Sequence, residues 1–273
     1  MIKKNAIIGF IGAGNMANAL IQGLTMSGLY QPEQILASDT DQNRLEAVSK
    51  HHGIKGYPGN NDLVRDSNIL LIAVKPQVIQ DVLEEIKDGI RDDHLMISIA
   101  AGIPTTLILS IIGRDIPVIR VMPNTPALIQ KGVSALAPSK KVTSEQMDIA
   151  RAIFTAVGET VAVNEDMMNA VTALSGSGPG FVFQIMECFV SAGERLGFDA
   201  DTALRLVART FLGSTALADT SNLSLAQLRE MVTSPGGTTA AGLKYFDENG
   251  LATIIQGAVK AAYDRGVELG KGK

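Results

Sequence analysis

Short β-branched and aliphatic runs at residues 6–11, 35–38, 69–74, 95–99 and 118–121 alternate with segments whose apolar residues recur at helical spacing. In "NMANALIQGLTMSG", Met16, Leu20, Ile21 and Leu24 fall on one helical face, and Gly28 offers a C-terminal stop. "KPQVIQDVLEEIKDGI" puts Pro76 in a first turn, where a missing N–H is harmless, and lines Val78, Val82, Leu83 and Ile86 along one side. Strand and helix in alternation predict right-handed βαβ units and a parallel sheet covered on both faces. After about residue 164 the strand pattern stops. "PGFVFQIMECFVSAGERLGF", "DADTALRLVARTFLGSTALADT" and "LATIIQGAVKAAYDRGVELGK" are long segments of 3.6-residue period, rich in Ala. The pattern predicts an N-terminal Rossmann-type doubly wound α/β domain over residues 1–164 and an all-α domain over residues 165–273, with no repeat or low-complexity linker between them.

Composition narrows the partners. The 273 residues, 46% hydrophobic and 19% charged, suffice for two apolar cores. A net charge of −4 without a run of Lys and Arg leaves no electrostatic footprint for nucleic acid or a membrane surface, so a small-molecule partner is expected. The single cysteine, Cys188, allows no intrachain disulfide and reads as a buried structural thiol in an apolar run. His51, His52 and His94 lack the Cys or carboxylate spacing of a metal centre and read as surface or turn residues, so no metal is expected. The start of the chain, Lys residues before an apolar stretch, has a superficial likeness to a signal peptide. Its glycine spacing suits a different role, and no apolar run reaches the ~18 residues of a membrane span. The reading is cytoplasmic.

That glycine spacing is Gly12-x-Gly14-x-x-Ala17, set between a β-branched run and an amphipathic helix. It is the dinucleotide fingerprint. The first glycine permits a tight turn, the second lets backbone approach a pyrophosphate, and the small third residue lets helix and strand pack closely. Gly12, Ala13, Gly14, Asn15 and Met16 are the candidate cradle, with the helix N-terminus supplying unpaired N–H groups for phosphate. Asp39 closes the second strand about 20 residues further on. Such a carboxylate accepts ribose hydroxyls and repels a 2′-phosphate, which leans toward NADH; equally, it could cap the next helix. Ligands of open parallel sheets lie beyond the strands' carboxyl ends. Ala73, Val74, Lys75 and Pro76, together with Ala101 and Gly102, are therefore candidates to line the crevice, although Lys75 could also be a solvated loop lysine.

A second cradle interrupts the helical half: "TSPGGTTAAG", flanked by helical patterns, with Ser224 placed to cap the preceding helix. Backbone N–H groups at Gly237, Thr238 and Thr239, with the hydroxyls of Ser234 and Thr239, suit a small anion; a plain helix start is the alternative. Without a P-loop lysine a triphosphate is a poor fit and a carboxylate a better one. Two such cradles suggest hydride transfer between a nicotinamide and a carboxylic acid. Oxidation of an alcohol needs a general base. Yet no lysine occurs between Lys141 and Lys244, and no histidine after His94. Reduction of a protonated C=N bond, already electrophilic, needs only a hydroxyl that orients the nitrogen.

Nearly end to end, the chain resembles the pyrroline-5-carboxylate reductase family, through "GFIGAGNM" (9–16), "AVKP" (73–76), "SIAAG" (98–102), "RVMPNTPALI" (120–129), "LSGSGPGFVF" (174–183) and the signature segment "VTSPGGTTAAG" (232–242). The resemblance implies NADPH- or NADH-dependent reduction of 1-pyrroline-5-carboxylate to L-proline. It further implies that Ser234, Gly237 and Thr238 bind the substrate carboxylate and that Thr239 meets the imine as the catalytic hydroxyl. "MPNTP" and "SGSGP" would stand near the nicotinamide, and Asn60 on the adenine ribose side. The helical domain would form an interlocked homodimer, in some members a larger assembly. Where NADPH-preferring members often carry a small hydroxyl residue, this chain has Asp39. A β-hydroxyacid dehydrogenase shares the architecture, but would place a lysine on the helix after the "GSGPG" junction, where this chain has none. A non-catalytic dinucleotide sensor would have no use for the second cradle.

Overall fold

The computed structural model describes residues 6–270, and the chain divides into two compact units: residues 1–177 with 262–273, and residues 178–261. The first is built on an eight-stranded sheet of order β3-β2-β1-β4-β5-β6-β7-β8. The strands are β1 (Ile8–Ile11), β2 (Ile35–Ser38), β3 (Lys55–Tyr57), β4 (Ile69–Ile72), β5 (Leu95–Ser98), β6 (Val118–Met122), β7 (Gly132–Pro138) and β8 (Gly158–Ala162). Between and after them run helices α1 (Asn15–Met26), α2 (Gln42–His52), α3 (Asn60–Asp66), α4 (Ile79–Ile86), α5 (Thr105–Ile112), α6 (Ser144–Thr155) and α7 (Met168–Val171). Five strands were expected from aliphatic runs. The three others, β3, β7 and β8, carry exposed or turn-forming residues, and β6 pairs with β7 antiparallel, which departs from the all-parallel expectation.

Both faces of the sheet are covered, as the central strands' continuous apolar character demands. Alternate residues go to opposite sides. Ile8, Phe10, Ile69 and Leu71 pack with Leu20 and Leu24 of α1 and Phe154 of α6, whereas Ile11, Leu70 and Ile72 pack with Leu63 of α3, Leu83 of α4 and Ile108 of α5. His94 is fully buried rather than at the surface. It accepts from the Arg91 amide through Nδ1 and donates from Nε2 to the Ser67 carbonyl. Burial, and next the Arg91 charge, hold its pKa below the usual histidine value, so it stays neutral.

The second unit is helical: α8 (Gly178–Arg195), α9 (Ala200–Thr220), α10 (Leu225–Met231), α11 (Thr238–Glu248) and the start of α12 (Leu251–Gly270), whose last turns belong to the first unit. α8 and α9 form a hairpin in which Gly193 lies against Ala203 and Phe189 meets Phe211 edge-on at 5.6 Å. Ala203 is the one buried residue between 178 and 261. Phe183, Leu212 and Ile254 are each more than half exposed. Cys188, expected to be buried, is exposed for the same reason: no layer of this unit covers its stretch of α8. No helix of the described residues is long and apolar enough to cross a membrane, and none of their His, Cys, Asp and Glu side chains cluster as a metal site.

Candidate active site

The first cradle forms where β1 runs into α1, at the point where strand order reverses between β1 and β4. Gly12 turns the chain at φ +100°, and a Cβ there would stand 2.7 Å from the Ala73 carbonyl oxygen, so no other residue fits. The loop is tied to both neighbouring strands: the Gly12 amide donates to Ser38 O and the Ala73 amide to Ile11 O, both at 2.8 Å. Gly14 is different. Its φ of −71° is open to any residue, yet a Cβ would meet no protein atom within 4 Å. It precedes the N-terminus of α1, which no side chain caps. Backbone donors at a bare helix start, facing open space, fit a pyrophosphate.

A cleft of about 490 Å³ opens there, lined by Gly12, Gly14, Ser38, Asp39, Asn60 and the Ala73–Lys75 turn. Thr40 and Arg44, which no motif in the sequence marks, line it too. Asn60 is held on two sides, accepting from Ser38 Oγ at 2.7 Å and donating to Glu85 Oε2 at 2.8 Å. Asp39 does not cap α2; Asp41 does, accepting from the Arg44 amide at 3.1 Å. Ala13, Asn15, Met16 and Pro76 adjoin the cleft in sequence without forming its wall, Pro76 opening a short 3₁₀ turn. Ala101 and Gly102 lie apart from it. Gly102, at φ +78°, abuts Leu269 and Gly270 at the end of α12.

The "MPNTP" and "SGSGP" segments meet at one point of the first unit. Residues 172–176 form a π-helical turn, and a Cβ on Gly176 would come 2.5 Å from Met122 Cε. Such turns recur at functional sites. On β6 beside them, Arg120 is 5% exposed with Glu165 Oε1 at 3.9 Å. Burial holds its guanidinium below the ordinary pKa, and Glu165 opposes that shift. Glu165 also accepts from the Thr105 amide and hydroxyl, so β6, α5 and the segment before α7 are tied by one carboxylate.

The second cradle joins α10 to α11. Gly236 takes φ +70°, where glycine is favoured. The Gly237 amide closes a turn on Ser234 O at 3.0 Å, and a Cβ on Gly237 would strike Ser234 Oγ. α11 then starts at Thr238 with no side-chain cap and no acidic residue in its first turn. Ser234, Thr238 and Thr239 are exposed. A bare helix start beside exposed hydroxyls can hold a carboxylate.

Two family models match the chain: "Pyrroline-5-carboxylate reductase dimerisation" over residues 165–269 and "NADP oxidoreductase coenzyme F420-dependent" over residues 7–102. The pyrroline-5-carboxylate reductase of Methanosarcina acetivorans is 41% identical over 98% of this chain and 99% of its own length. Among solved structures, a pyrroline-5-carboxylate reductase from Coxiella burnetii superposes with a TM-score of 0.91 at 36% identity, spanning 97% of this chain and 99% of that one. The Plasmodium falciparum pyrroline carboxylate reductase, solved with NADP bound, superposes with a TM-score of 0.88 at 29% identity, over 98% of this chain and 99% of that one.

Proposed function

This chain belongs to the pyrroline-5-carboxylate reductase family, and on that premise we propose that it reduces the cyclic imine 1-pyrroline-5-carboxylate to L-proline, the last step of proline biosynthesis. The observation that carries the proposal is the presence in one chain of two bare helix starts, α1 beside a cleft of about 490 Å³ and α11 beside exposed hydroxyls. We assign residues 1–164 to dinucleotide binding and 165–273 to substrate binding and dimerisation. Gly14, Asn15 and Met16 hold the pyrophosphate on a loop shaped by Gly12 and Ala13, whose own amides are bonded to Ser38 O and Asp39 Oδ2; Asn60 and the Ala73–Pro76 turn flank the nucleoside, and Ala101 and Gly102 lie apart from this cleft. When bound, NADPH or NADH supplies a hydride for the imine carbon.

The residues of the second cradle do the rest. Ser234, Gly237 and Thr238 bind the substrate carboxylate. Thr239 Oγ1 accepts from the N–H of the protonated ring nitrogen, and that proton has to stay. Addition of hydride to the iminium gives a neutral amine, whereas addition to a neutral imine would leave a strongly basic nitrogen anion. No histidine or lysine base is called for. If the carboxylate is the handle, 1-pyrroline, the same ring without it, should show kcat/KM at least about 100-fold below that of 1-pyrroline-5-carboxylate, as expected for losing two hydrogen bonds to a charged group. Values within about threefold of each other would remove the carboxylate from the account.

The helical unit has one buried residue and many exposed apolar ones, so its faces require a second copy. Light scattering at micromolar concentration should give at least twice the 28.8 kDa chain mass; a monomer would contradict the dimer. With one cysteine and hence no intrachain disulfide, the chain suits a reducing cytoplasm.

A further inference from the structure

We propose that Asp39 is a positioning residue that pins the glycine loop from the end of β2, and that Arg44, with Thr40 beside it, meets the 2′ position of the adenosine ribose, so that the cleft accepts a 2′-phosphorylated dinucleotide. The inference rests on the reading of this cleft as a nicotinamide dinucleotide site.

A carboxylate offers about four acceptor positions. Asp39, with its side chain 7% exposed, has spent most of them. Oδ2 accepts from the Ala13 amide and Oδ1 from the Asp41 amide, both at 2.8 Å. Arg44 Nη1 stands 3.3 Å from Oδ2 and 3.5 Å from Oδ1. Little remains for a pair of ribose hydroxyls. The Ala13 bond joins residues 26 apart in sequence and complements the Gly12 bond to Ser38 O, so the loop is gripped at two successive amides. Its loss would loosen the cradle for any dinucleotide.

The charges around the strand end act in the same direction. A bare carboxylate at this strand end repels a 2′-phosphate, but here a guanidinium lies at ion-pair distance and offsets it. Arg44 is half exposed, and its Nη2 reaches Asp41 Oδ2 at 3.2 Å. With five N–H donors on a planar fork it keeps enough free to take a phosphate. Asp81 and Glu85 also line the cleft, Glu85 tied to Asn60, so the cleft's charge gives the phosphate no large advantage. The consequence is acceptance of both cofactors.

Calorimetric titration of the full-length protein with NADH and with NADPH, beside the thermal midpoint without cofactor, tests this. Wild type should bind NADPH no more weakly than NADH. Arg44→Gln should raise the NADPH Kd about tenfold or more and leave the NADH Kd within about threefold, as loss of one charge-assisted contact predicts. Asp39→Ser should lower the midpoint and raise both Kd values by similar factors, with Asp39→Asn intermediate because its carbonyl oxygen can still accept from Ala13. A swing toward NADPH of about tenfold in Asp39→Ser would make Asp39 a free ribose acceptor and overturn the positioning role. An unchanged NADPH-to-NADH ratio in Arg44→Gln would overturn the Arg44 assignment. If wild type bound neither dinucleotide, the reading of the cleft would fall and the inference with it.

Discussion

Replacing Thr239 by Ala is expected to lower kcat with 1-pyrroline-5-carboxylate by about 10²–10³-fold while KM changes little, the loss typical of removing one preorganised hydrogen-bonding group aimed at the reacting atoms. Thr239 is exposed in the first turn of α11, with no structural bond to a neighbour that would explain its presence there. Its removal should therefore leave the folded protein intact, and circular dichroism can confirm that. Ser234→Ala should behave differently. A carboxylate contact is made in ground and transition states alike, so its loss raises KM with kcat nearly preserved. Should Thr239→Ala keep kcat within about threefold of wild type while folded, Thr239 would be a helix-start residue and the catalytic assignment would fail.

The second large effect divides two glycines of one loop. Gly12→Ala forces a side chain into φ +100° and against the Ala73 carbonyl at 2.7 Å, a position with no room to give because the neighbour is backbone. Strain of about 1–3 kcal/mol follows, and with it a fall in the midpoint of free protein on the order of 5 °C, together with loss of dinucleotide binding. Gly14→Ala meets nothing in the protein, so the midpoint should hold while the Kd for the dinucleotide rises about tenfold or more, because the methyl occupies space the pyrophosphate needs. Thermal unfolding and cofactor titration of the two variants separate these cases. Equal behaviour in both measurements would mean that the loop is merely a tight turn.

The parts of the fold legible in the sequence were those where burial is extreme. β1, β2, β4, β5 and β6 are buried on both faces and read as mainly apolar runs, with the buried Arg120 of β6 the charged exception. β3 has only Tyr57 buried, and β8 buries none of its residues and begins Gly-Glu-Thr, so neither reads as a core strand. β7 opens on Gly132 and closes on Pro138, residues that read as loop, and its buried centre is Ser, Ala and Leu. The site divides in the same way. Gly12 and Gly14 declare themselves by their spacing between a strand and a helix, although only at Gly12 does the protein's own geometry demand glycine. What Asp39 does was hidden, because its partners Ala13 and Arg44 are set by packing between separate turns, and a carboxylate looks the same in sequence whether it waits for a ribose or is already bound. The exposure of Cys188 was hidden too, because an apolar helix reads as buried whether its cover comes from its own unit or from another chain.

The most direct test of the central claim is a product balance: purified protein, NADPH or NADH, and 1-pyrroline-5-carboxylate, with oxidised cofactor and proline counted together. Wild type should turn over with one L-proline formed for each dinucleotide oxidised, and turnover should collapse in the folded Thr239→Ala protein. Cofactor oxidation without proline, or no oxidation by folded wild type that binds the dinucleotide, would contradict the central claim.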